Sequence, residues 1–90
     1  MPLLDQLSPK DSPKKVLEKI DKILGPPDGG MGGGPIENFR TERLYMLNDG
    51  TGINVNFVND NLVAVTFCTV PDWKVLKVLY HVAKTGTNSN

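Results

Sequence analysis

The segment Ile53-Asn54-Val55-Asn56-Phe57 constrains the fold more than any other part of the chain, because apolar and amide side chains alternate along it without a break. A period of two puts Ile53, Val55 and Phe57 on one face of a β-strand and Asn54 and Asn56 on the other. One face must then be covered while the asparagine side meets water, the pattern of an antiparallel sheet packed on a single side. Turn chemistry brackets the strand: Asp49 and Gly50 precede it, and Asn59, Asp60 and Asn61 follow. Residues 40–48, with Leu44, Tyr45, Met46 and Leu47, predict a strand before the first turn. Residues 62–70, rich in β-branched and aromatic side chains, predict another after the second. Three successive strands joined by short turns predict an antiparallel meander in chain order with the asparagine-bearing strand at its centre.

Such a meander needs apolar partners for its covered face, and two flanking segments carry helical spacing. Ser12 followed by Pro13 is a helix start, since the hydroxyl accepts an orphan amide hydrogen and proline suits the first helical position. Val16, Leu17, Ile20, Ile23 and Leu24 then form one apolar stripe, and Gly25 with Pro26 stops the helix. The opposite face, with Lys14, Lys15, Glu18, Lys19, Asp21 and Lys22, is solvated. Near the C-terminus Pro71 ends the third strand and Asp72 offers a cap. Val75, Leu76, Val78, Leu79, Val82 and Ala83 follow at helical spacing, which predicts a second helix ending at Gly86. The expected architecture is α+β: N-terminal helix, three-stranded antiparallel meander and C-terminal helix, both helices packed on one sheet face. Residues 1–11, broken by Pro2 and Pro9, read as an arm whose leucines can dock on the body, residues 12–86 as a single domain, and residues 87–90 as a disordered polar tail.

Residues 26–35 contain five glycines, Gly29, Gly30, Gly32, Gly33 and Gly34, with Met31 among them and Pro26, Pro27 and Pro35 at the ends. Fixing so many glycines is entropically costly, which predicts a mobile loop. It is not a phosphate-binding loop: the G-x-G-x-x-G spacing is absent, no Lys-Ser or Lys-Thr follows, and it comes after a helix rather than a strand.

Ninety residues allow one core. Ten basic and ten acidic residues cancel, so charge gives no case for a polyanionic partner and none for long-range self-repulsion. Cys68 is the only cysteine, which excludes an intrachain disulfide and the usual thiolate pair of a structural zinc site. The start, Met1-Pro2-Leu3-Leu4-Asp5, lacks the basic and long apolar stretches of a secretory leader, so the default expectation is a cytoplasmic protein. A mature exported chain whose leader has been removed would read the same way.

Candidate chemistry is sparse, and neither a cofactor nor a metal is expected. Cys68 and His81 are the only pair able to serve as nucleophile and base, but Cys68 lies in an apolar strand and no acid is placed to orient the histidine. Asp49 and Asp60 read as turn formers, and the surroundings of Asp60 lack the alternating donors, glycine and closing glutamate of a calcium loop. Lys74, Lys77, His81 and Lys84 would form a basic stripe on the second helix, a solvated face with no exposed aromatic row to accompany phosphate contacts.

Leu24, Gly25, Pro26, Pro27 and Asp28 after an amphipathic helix, followed by Tyr45, Leu47, Asp49, Gly50, Val55, Phe57, Leu62 and Val65, resemble the BamE-like family over residues 13–67. That family includes the SmpA/OmlA lipoproteins and is similar to the repeat of β-lactamase inhibitory proteins. The resemblance implies a non-enzymatic domain that binds other proteins through its sheet and loops. This chain departs from the pattern in lacking a cysteine near its start, in its glycine-rich insertion and in its C-terminal helix. The expected function is that of a protein-binding or adaptor domain, with Gly29, Gly30, Met31, Gly32, Gly33, Gly34, Asn54 and Asn56 as contact residues. The alternative is a small-ligand-binding or enzyme subunit whose site, using Tyr45, His81 or the glycine loop, is completed at an oligomer interface.

Overall fold

The computed structural model describes residues 5–82. One helix, α1 (Pro13–Leu24), precedes five strands: β1 (Gly29–Gly33), β2 (Arg40–Met46), β3 (Thr51–Val58), β4 (Asn61–Thr69) and β5 (Val75–His81). A short 3-10 turn at Ile36–Asn38 joins β1 to β2. The strands form one antiparallel sheet in the order β1-β2-β3-β4-β5, so every strand pairs with its sequence neighbour.

Local chemistry sets α1 as expected. The Ser12 side chain accepts from the Lys15 amide, Pro13 opens the helix, and Gly25 closes it at φ 72° with its amide donating to Asp21 O. Val16 and Ile20 are fully buried against Tyr45, Ile53, Val55, Phe57, Leu62, Val65 and Tyr80. The alternation in β3 therefore works as the sequence predicts, with Ile53, Val55 and Phe57 under α1. Asn59 and Asp60 both adopt positive φ in the two-residue connection between β3 and β4, the geometry that lets a tight turn follow the strand twist.

Two expected elements are corrected. The glycine-rich segment is not a loop: Gly29–Gly33 pairs in unbroken register with Arg40–Leu44. The entropic cost of ordering these glycines is offset by backbone hydrogen bonds, and at Gly30 by a close approach that any side chain would block. A Cβ there would lie 2.8 Å from Glu42 O. Asp28 anchors the entry, its amide donating to Leu44 O and its Oδ2 accepting from the Met46 amide.

The C-terminal helix is replaced by β5, so the sheet has five strands rather than three and only one helix lies on it among the described residues. The helical spacing has a structural cause. The β4–β5 register passes from Val65↔Tyr80 to Thr66↔Val78 and from Phe67↔Lys77 to Cys68↔Val75, leaving Leu79 and Leu76 as extra residues at two bulges. Two bulges three residues apart break the period of two, and apolar residues recur as they would on a helix. Lys84, Gly86 and the tail at 87–90 lie outside the described residues, as do Leu3 and Leu4 of the arm. Within the arm, Leu7 packs on the core, and Lys19 Nζ donates to Gln6 O and to Asp11 Oδ2.

Candidate functional site: the sheet face opposite α1

Residues paired across strands share a face, so the register defines what the side away from α1 presents. Its first row is Met31, Glu42, Asn56, Ala64 and His81. Its second is Leu44, Asn54, Thr66 and Val78, and its third Met46, Gly52, Cys68 and Val75. The middle of this face is polar but not wet. Asn54 is only 9% exposed and Thr66 is buried, which corrects the expectation that the asparagine side meets water. Asn54 Nδ2 donates to Glu42 Oε1 at 2.6 Å, while Asn54 Oδ1 is buried with no hydrogen-bond partner among the described residues. Thr66 Oγ1 lies 3.4 Å from Cys68 Sγ, so the thiol sits in a closed polar contact rather than at a reactive opening.

Apolar side chains flank this centre on both sides. Met31, Met46, Val75 and Val78 are each more than half exposed, at the two sides of the sheet. Over the third row lies Trp73, held at φ 55° in the turn between β4 and β5. Its six-membered ring occupies the space a side chain at Gly52 would need, with a Cβ there falling 2.7 Å from the ring. Thr69 Oγ1 donates to Asp72 Oδ1 at 2.6 Å and steadies that turn.

The expected contact residues divide accordingly. Gly29 to Gly33 form the outermost strand, all exposed, and Gly34 follows at φ 105°. Met31 joins Asn54 and Asn56 on the open face, in the same row as Asn56. Glu42, Leu44, Met46, Val75 and Val78 were missed by sequence reasoning. The first three carry a usable signal, the alternation of Thr41, Arg43 and Tyr45 with Glu42, Leu44 and Met46 along β2. The others depend on β5 being a strand.

The candidate reactive groups do not converge. Cys68 pairs with Val75 and His81 with Ala64, at different ends of the β4–β5 ladder. Asp49 and Asp60 lie in the turns at opposite ends of β3. Asp49 accepts from the Thr51 hydroxyl, which holds its carboxyl below the usual aspartate range. Tyr45 pairs with Ile53 on the α1 side, where burial pushes its phenol up, so it is on the other face from His81. The basic stripe is corrected as well: Lys77 pairs with Phe67 on the α1 side, while His81 is on the open side. Among the described residues no three His, Cys, Asp or Glu side chains gather into a metal site. No helix among them is long and apolar enough to cross a membrane. Comparison with family models, with curated proteins and with solved structures finds no match to this chain.

Proposed function

We propose that this chain is a non-enzymatic protein-binding domain whose contact surface is the sheet face opposite α1. The observation that carries this reading is the exposure of Met31, Met46, Val75 and Val78 on the two flanks of a buried amide and hydroxyl centre, on a face with no helix or strand packed over it among the described residues. Exposed apolar side chains grouped on one face favour association, and methionine adapts its shape to a partner at little cost. The BamE-like likeness points the same way, since it implies contact through sheet and loops. Gly29 to Gly34 extend the surface at its edge, where β1 offers backbone groups and almost no side chains.

The test is capture by the immobilised full chain. A partner held by the native chain and by a Lys22→Glu control on the solvated side of α1, but lost with Met46→Asp and Val78→Asp, supports the reading. Equal retention by all four chains would remove the open face from the account.

A further inference from the structure

The open face carries two ionisable side chains that share a row, Glu42 on β2 and His81 on β5, with Asn56 and Ala64 between them. Its third row has Gly52 on the central strand with the Trp73 ring over it. Both features are self-complementary under one symmetry operation. From them we infer that this face binds a second copy of the same chain, face to face, about a two-fold axis parallel to the strands and above β3. The inference rests on reading this face as a contact surface and names its occupant.

Such an axis reverses strand order in the second copy while keeping each row opposite itself. Row one then sets Glu42 over β4 of the second copy and diagonal to its His81, within reach of a charge-assisted hydrogen bond. Met31 falls over the same histidine. A two-fold axis perpendicular to the strands would instead lay Glu42 over Met46 of the second copy and give its carboxylate no counterpart. The charge pattern therefore selects the first arrangement.

The third row fits the same geometry. Gly52 is at the axis, so the two Trp73 rings meet there with a glycine beneath each. Three van der Waals separations of about 3.5 Å, glycine to ring, ring to ring and ring to glycine, make about 10 Å, which is the spacing of two stacked sheets. A side chain at Gly52 would disturb that layer. Five strands about 4.8 Å apart and three rows about 7 Å apart give a face of roughly 500 Å² per copy. The total of about 1,000 Å² is near the lower bound for a specific interface, so the dimer is weak and concentration-dependent. A formal net charge of zero leaves no long-range repulsion to oppose it.

Sedimentation of the full chain over a concentration series tests this, with the emission of Trp73, the single tryptophan, as an independent reporter. The expected result is a mass rising from one chain toward two as concentration increases, with Trp73 emission moving to shorter wavelength in step. Met46→Asp and Val78→Asp, both at exposed positions, should each weaken dimerisation at least about tenfold while leaving the thermal melt by circular dichroism in place. If one of them fails to fold, the other decides. The mass of a single chain at every concentration overturns the dimer but leaves the capture experiment to judge the wider reading. A dimer that survives the folded substitutions also overturns the inference, because its interface then lies elsewhere.

Discussion

Gly52 is a position where the absence of a side chain has a defined structural use. A Cβ there would meet the Trp73 ring at 2.7 Å and the carbonyl oxygen of Tyr45 at 2.9 Å. The ring can swing away, but the carbonyl belongs to the paired backbone of β2 and cannot. Gly52→Ala should therefore cost about 1–3 kcal/mol in urea unfolding, and Trp73→Ala should recover only the part due to the ring. An unchanged unfolding midpoint would mean that neither the ring nor the carbonyl constrains position 52. Asp11 makes a different kind of contribution. Lys19 Nζ donates to its Oδ2 at 2.7 Å and the Ser8 amide donates at 3.1 Å, which hold the Asp11 carboxyl below its ordinary value of 3.8. A lowered native value means that the unfolded chain takes up this proton first as pH falls. The stabilisation is therefore complete above pH 3.8 and is lost progressively as pH drops below it. Melting temperature followed into acid should fall more steeply for the native chain than for Asp11→Asn; parallel curves would remove Asp11 from the acid response.

At the scale of elements, β1 and β5 are the two edges of the sheet and are ordered by different means. β1 has almost no side chains to bury, so it is held by backbone pairing and by the Asp28 anchor. Gly30→Val should release it, because the added Cβ would press on Glu42 O at 2.8 Å. Amide hydrogen exchange should then show lost protection in Gly29–Gly33 while α1 stays protected. β5 gives a second check. Backbone chemical shifts over Val75–His81 should be those of an extended strand, in contrast to the helical shifts of Pro13–Leu24. Helical shifts across residues 75–82 would contradict the five-stranded sheet. Much of the candidate face was hidden in the sequence for this reason. Asn54, Asn56 and Met31 could be singled out from alternation and composition, but Val75 and Val78 join them only once β5 pairs with β4.

For the molecule as a whole, one layer of apolar contacts between α1 and the sheet supplies the core. Ile20 and Ile53 are both fully buried within it. Ile20→Ala should remove roughly 2–5 kcal/mol from a total that, for 90 residues, is about 5–13 kcal/mol, so a large part of the chain's stability depends on one helix residue. Two segments distant in sequence are joined through the same layer: Tyr80 Oη donates to Asp11 O at 2.7 Å, a bond between residues 69 apart. Through it, β5 is fixed to the segment preceding α1 as well as to β4.

By itself, the sequence determined the helix at residues 13–24, the central alternating strand and the turns on either side of it. Each of these rests on interactions within a few residues: a serine cap, a period of two, an Asn-Asp turn. Tertiary structure alone decided the two edges. Four glycines and Met31 become a strand only because β2 offers a backbone to pair with, and 75–81 becomes a bulged strand because β4 would otherwise leave its outer hydrogen-bonding groups without a partner. A local pattern cannot register a partner that the rest of the fold supplies.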